Sequence, residues 1–161
     1  MNNRLEYLRS KIDTLIYETL TADDSRYYIT HLYGVSQFCA LLAIRRGLNA
    51  EIAATSGMLH DIYQVTDGIM EKHAKKGAEK AKLILENTGM YTDEEIDVIT
   101  TAVSRHGKKR KVHRPYDEVL KDADVLAHCL YNPDYPVIEK EEIRYANLLL
   151  ELGSGKEEII L

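Results

Sequence analysis

From the N-terminus to Pro115 no proline interrupts the chain, and along that length apolar residues recur at the three- and four-residue spacing of a helix face. The alternating apolar and polar pattern of a half-buried strand is missing. The three prolines fall at positions 115, 133 and 136. With 161 residues the chain matches the usual size of one domain. The expected fold is therefore all-α: one domain over residues 1–161, built as a bundle of about six to seven helices.

The boundaries follow from local chemistry. Leu5, Leu8, Ile12, Leu15 and Ile16 mark a first amphipathic helix, and the polar link TADDS (21–25) is expected to end it. A second helix is expected from about Tyr28 to Arg46, with Gly47 and Asn49 as stop signals. A third runs from about Ala50 to Ile62. A fourth starts near Met70 and reaches about Glu86, before Asn87 and Gly89. Thr92 with Glu95 three residues on forms a capping box that opens a fifth helix through Ile96, Ile99 and Val103, ending at His106-Gly107. A basic loop, KKRKVHRP, leads to a sixth helix just after Pro115, reaching about Tyr131. Asn132 to Pro136 form a turn. A last helix is expected over about Glu139 to Leu152, with Gly153 and Gly155 closing it.

Composition narrows the function. The formal charge of -5 argues against a general nucleic-acid-binding surface. Cys39 and Cys129 are too few for a disulfide framework and read as small core residues. The N-terminus MNNRLEYLRSK has no apolar signal core, and no run approaches the roughly 18 apolar residues of a membrane span. No membrane partner and a cytoplasmic location are the expectation. A domain of this size also needs no structural metal to fold, so any metal it binds is expected to be functional.

Against this background His60-Asp61, closing the apolar stretch Ile52 to Leu59, is conspicuous. His31 lies upstream of the pair, and His73, His106 and Asp124 lie downstream. Histidine and aspartate are ligands that borderline and hard divalent metals share. Helix geometry tests whether the six face a core, because residues three or four apart share a face. His31 lies in line with Val35, Phe38 and Leu42. His60 lies above Ser56 and Ile52, and Asp61 is only about 100° further round. His106 continues the row Ile96, Ile99, Val103, and Asp124 falls four residues after Leu120. His73 precedes Gly77, Ala81 and Ile84, a row small enough to let helices approach closely. A single inward histidine is more often a hydrogen-bonded core residue. Two inward aspartates are another matter, since a buried carboxylate needs a counter-charge that a divalent cation supplies. His128, four residues after Asp124, shares its face and suits a supporting or structural role. His113, in the basic loop, is expected to be solvated.

His31, then His60-Asp61, then Asp124 within KDADVLAH resemble the H…HD…D pattern of the HD-domain metal-dependent phosphohydrolases. The resemblance runs from about Tyr28 to Tyr131, with the helix at about 139–152 as an extension. It implies that His31, His60, Asp61 and Asp124 bind one metal. It also implies that His73 and His106 complete a second site, as in the dinuclear subset, with Asp61 bridging and Asp124 chosen over Asp122. One or two divalent ions are implied, with Fe, Mn, Mg, Zn, Ni and Co all candidates. The sequence departs from the HDxxK form of many members, because HDIYQ puts Gln64 where that lysine contacts substrate phosphate.

The implied chemistry is cleavage of a phosphomonoester or phosphoanhydride, of a nucleotide as the leading expectation, by metal-activated water, with Asp61 and His60 as catalytic ligands. Transition-state charge calls for cations nearby. Lys72 and Lys76 beside His73, and Arg105, Lys108 and Lys109 around His106, are the candidate substrate contacts. The basic loop reads equally as a mobile segment drawing in an anionic substrate or as a solvated, charged connection. The two-metal pattern resembles bacterial diadenosine tetraphosphate hydrolases, with a shorter interval between Asp61 and His73. Two rivals carry the same ligands: an HD-type di-iron oxygenase, and a non-catalytic module binding metal and nucleotide. Leu148, Leu149, Leu150 and Leu152 suit either a core cover or a homodimer contact.

Overall fold

The computed structural model describes residues 3–68 and 71–153, which form eight helices and no strand. α1 (Arg4–Thr19) is capped by Asn3, whose side chain accepts from the Glu6 amide, and it buries Leu8, Ile12 and Ile16 on one stripe. α2 (Ala22–Arg45) begins earlier than expected. Thr21 accepts from the Asp24 amide, and Asp23 and Asp24 sit in the first turn where the helix dipole favours acid. TADDS is thus a cap and a first turn, and only Leu20 and Thr21 separate the two helices.

α3 (Ala50–Leu59) is capped by Asn49 and is buried at every residue from Ile52 to Leu59. A helix apolar on all sides belongs at the centre of a bundle, and α1, α2, α5, α6 and α7 all pack on it. Gly57 sets its distance from α2: a Cβ there would stand 2.7 Å from Ser36 Cα. The helix expected to run through Ile62 breaks at His60-Asp61, where Asp61 takes φ -108° and ψ 17°. The short α4 (Ile62–Asp67) follows, closed by Gly68 at φ +64°. This break accounts for a helix beyond the expected number.

α5 (His73–Thr88) buries Gly77, Ala81 and Leu85. A Cβ on Gly77 would lie 3.3 Å from the His60 carbonyl, so the small-residue row does allow a close approach. Met70, the expected start of this helix, lies outside the described residues. α6 (Asp93–Arg105) carries the capping box of Thr92 and Glu95. Arg4 ties three helices together by pairing with Glu51 at 2.9 Å and Glu95 at 2.7 Å.

α7 (Pro115–Tyr131) has proline in its first turn and is buried from Val119 to Ala127. α8 (Glu142–Gly153) starts later than expected and buries only Leu148. Ion pairs hold it in place: Arg144 to Asp122 at 2.6 Å and to Glu118 at 2.8 Å, and Glu151 to Arg46 at 2.7 Å. Leu149 and Leu150 are exposed, and Gly155, Glu157 and Glu158 lie outside the described residues. Cys39 is buried in the core as expected. No helix among the described residues is long and apolar enough to cross a membrane.

Candidate metal centre

The six singled-out side chains come from α2, the α3–α4 break, α5, the end of α6 and α7, and they meet at one place. His31, His60 and Asp124 form one group that could hold an ion, and Asp61, His73 and His106 form a second. In the first, His31 Nε2 and His60 Nε2 are 3.1 Å apart. Asp124 Oδ1 lies 3.4 Å from the former and 3.7 Å from the latter. Asp61 Oδ2 is 3.6 Å from His31 and 3.3 Å from His60. In the second, His73 Nε2 and His106 Nε2 are 3.2 Å apart, with Asp61 Oδ1 3.4 Å from His106 and 3.9 Å from His73. Separations of this size suit donors sharing an ion with bonds of about 2.0–2.2 Å. Asp61 turns one oxygen to each group, so it is the residue able to bridge them.

Local backbone explains why these nitrogens point inward. His60 Nδ1 donates to the Gly57 carbonyl at 2.8 Å, and His106 Nδ1 donates to the Val103 carbonyl at 2.7 Å. Each imidazole thus caps the last turn of its own helix. A carbonyl only accepts, so in the neutral ring the proton is fixed on Nδ1 and the Nε2 lone pair is left for a metal.

The residues present fit a cation on a further ground. Asp124 Oδ1 is buried and has no hydrogen-bond partner, although a buried carboxylate oxygen ordinarily has one. It is the oxygen that faces His31 and His60. Burial pushes the Asp124 carboxyl up, but Lys109 and the surrounding histidines outweigh it and hold it far below the usual carboxylate range. Asp61 shows the same balance: burial is outweighed by His60, His106 and His31. His60 is pushed up to about 9 because Asp61 and Asp124 overcome its complete burial. Burial dominates at His31 and His106 and lowers both.

Around the six lie supporting contacts, most of which the sequence did not assign. Lys109 is buried, and its Nζ donates to Asp124 Oδ2, the oxygen turned away from the histidines. Lys109, expected as a substrate contact in a mobile or solvated loop, is buried with its ammonium paired to Asp124. The loop itself is pinned: Arg144 Nε donates to the Lys109 carbonyl at 3.0 Å and Lys121 Nζ to the Lys111 carbonyl at 2.8 Å. His113, expected in solvent, is half-buried and its Nδ1 accepts from Lys121 at 2.6 Å.

Gln64 Nε2 donates to Asp61 Oδ1 at 2.6 Å. His128 stacks on His31 with ring centroids 5.1 Å apart, and its Nδ1 bonds Glu141 at 3.2 Å. That is the supporting place its spacing suggested. Glu141, fully buried ahead of α8, carries no signal in the sequence. Asp122 points elsewhere, to Arg46 and Arg144. Among the other basic candidates, Lys72, Lys76 and Lys108 are exposed. Lys76 pairs with Glu79 at 3.2 Å, and Arg105 pairs with buried Asp117 at 2.8 Å.

Comparison with known proteins places this geometry. The sequence profile of the HD domain matches residues 28–128, a stretch holding all six side chains. The fold is similar to the crystal structure of a predicted HD superfamily hydrolase from an uncultured Thermotogales bacterium. The TM-score is 0.60 at 21% sequence identity, over 89% of this chain and 88% of that one. That likeness is one of fold, while the profile covers most of the chain and contains the complete H…HD…D set in order. The chain therefore belongs to the HD-domain family.

Proposed function

We propose that the protein is a metal-dependent phosphohydrolase that cleaves a phosphomonoester or phosphoanhydride, with a nucleotide as substrate. The observation that carries this reading is Asp61, which presents Oδ2 to His31 and His60 and Oδ1 to His73 and His106. A divalent cation in such a site supplies Lewis acidity toward phosphoryl oxygens and a lowered pKa for water. Membership of the HD-domain family supports a hydrolase, as does the likeness to a protein that is itself a predicted HD superfamily hydrolase.

The chain's own residues divide the remaining work. His60 and His106, locked by carbonyl hydrogen bonds, hold their Nε2 atoms in place without reorganisation. Asp124 offers Oδ1 while Lys109 occupies Oδ2. Phosphoryl transfer also needs cations for the charge that spreads over the transferred oxygens. Lys72 and Lys76, exposed on either side of His73, and Lys108, exposed two residues after His106, are assigned to that role. Arg105 is within the same neighbourhood and already neutralises Asp117. The protein is taken to act on a small anionic substrate in the cytoplasm, as one domain.

The same six ligands would serve a di-iron oxygenase, so the test must separate water chemistry from oxygen chemistry. Purified protein is analysed for metal, reloaded with manganese, magnesium, zinc or iron, and screened for phosphate release across nucleotides. Release by wild-type protein that is lost in Asp124→Ala and is independent of oxygen supports the proposal. Oxygen consumption with iron and no phosphate release would replace it with the oxygenase. Binding of metal and nucleotide, with turnover no higher than in Asp124→Ala, would leave a binding module. His31→Ala and His73→Ala, each assayed for metal content, distinguish one ion from two.

A further inference from the structure

Beside the metal ligands, α2, α7 and Ile138 border a half-open cavity of about 470 Å³. Tyr27, His31, Gly34, Phe38, His128 and Tyr131 line it with a few more neutral residues, and none of the lining side chains is Asp, Glu, Lys or Arg. Three rings stand parallel along one wall. Tyr27 and His31 are 5.8 Å apart with planes 7° off parallel, and His31 and His128 are 5.1 Å apart at 5°. His31 belongs to both places, because its Nε2 points at His60 and Asp124. A molecule that reaches the ligands from this side therefore has its other end in the cavity.

The lining decides what that end can be. A phosphate finds no lysine or arginine there, and the one imidazole on the outer wall, His128, is already paired with Glu141. A flat neutral ring finds aromatic faces and edges, with Tyr27 and Tyr131 partly exposed around the opening. The volume is within the range of small-molecule sites, which are similarly apolar and aromatic. We propose that this cavity binds an uncharged aromatic ring, the organic end of a substrate whose phosphoryl group meets the metal ligands. The orientation rests on the phosphohydrolase reading; the ring site itself does not.

Adenosine, ribose and 1-hexanol serve as probes in an NMR titration of the metal-loaded protein. Adenosine is expected to shift the amides of Gly34, Ala127 and Ile138 saturably, and the two probes without an aromatic ring are expected not to. A Cβ on Gly34 meets only Ala127 Cβ, at 4.0 Å, so Gly34→Leu is accommodated by the backbone and fills the cavity. Tyr131→Ala, at an exposed position, tests the same site without burdening the fold. Each should weaken adenosine roughly fivefold or more, the worth of a good aromatic contact, with metal content unchanged. The proposal is overturned if adenosine leaves those amides unmoved, if ribose or hexanol binds as tightly, or if both variants bind adenosine like wild type. Phosphate release is read separately. Adenosine in the cavity without hydrolysis of any nucleotide removes the phosphohydrolase reading and keeps the ring site, while hydrolysis without adenosine binding does the reverse.

Discussion

Gln64 Nε2 donates to Asp61 Oδ1 at 2.6 Å, and that oxygen is the one turned toward His73 and His106. The position where many HD sequences carry a phosphate-contacting lysine here orients the Asp61 carboxylate. Tyr28 Oη lies 3.5 Å from Gln64 Oε1 on the far side of the amide. Gln64→Leu keeps the volume and removes the donor. Loss of such an outer hydrogen bond typically costs about 10–100-fold in metal affinity. The loss should fall on the group formed with His73 and His106, leaving the His31–His60–Asp124 group close to wild type. Metal titration followed by elemental analysis checks this, and an equal loss at both groups would contradict the assignment.

Lys109 and Asp124 form a buried pair in which the lysine neutralises the carboxylate from behind. Removing one partner of a buried pair leaves an uncompensated charge, at a cost of about 3–5 kcal/mol. Lys109→Met should therefore lower the melting temperature of metal-free protein sharply. A bound cation would restore a counter-charge to Asp124, so added metal should raise the melting temperature of Lys109→Met more than that of wild type. Thermal unfolding with and without manganese checks both parts. A metal-induced rise no larger than in wild type would show that Lys109 does not act through Asp124.

The helical architecture and the convergence of the six side chains are legible in the sequence because both rest on local repetition: apolar stripes at helical spacing, and histidines in line with them. The supports are not, because they join residues distant in sequence through buried geometry. Lys109 sits in a run of exposed cations, and nothing in KKRKVHRP distinguishes it from Lys108. Its burial follows from Arg144, 35 residues away, holding its carbonyl. Glu141 reaches His128 only because the turn after Pro136 folds back on α7. The break at His60-Asp61 is hidden for another reason: apolar spacing runs straight through it to Ile62 and Val65, both buried. TADDS reads as a link because a cap and an acidic first turn have the composition of a loop.

Gly57 couples packing to the site. A Cβ there would stand 2.7 Å from Ser36 Cα and 2.8 Å from Ser36 N, both backbone atoms that cannot rotate away. Gly57→Ala gains helix propensity but must push α2 and α3 apart, and overpacking of this kind costs about 1–3 kcal/mol. The Gly57 carbonyl also holds His60 Nδ1, and His31 projects from α2. Gly57→Ala should thus lose both stability and metal affinity, whereas Gly34→Ala, with no such contact, should lose neither. Denaturant unfolding and metal titration of the two variants give the comparison. A Gly57→Ala protein as stable as wild type would refute the close-approach argument.

Tyr33 gives the pH dependence its clearest handle away from the metal ligands. Its hydroxyl donates to Asp13 Oδ2 at 2.9 Å and joins α2 to α1. Burial and this bond to a carboxylate push the phenol up to about 12 from an ordinary value near 10. Because the folded state holds the proton more tightly than the unfolded chain, the contribution is complete below about pH 10. It disappears as the pH rises through about 12. Tyr33→Phe lacks it at every pH. The variant should be about 1 kcal/mol less stable than wild type near neutrality, the net worth of one such hydrogen bond, and the two stability curves should converge between about pH 10 and 12. Urea unfolding at a series of pH values measures the gap directly. A gap that stays constant up to about pH 12 would mean that Tyr33 stabilises the fold by packing alone.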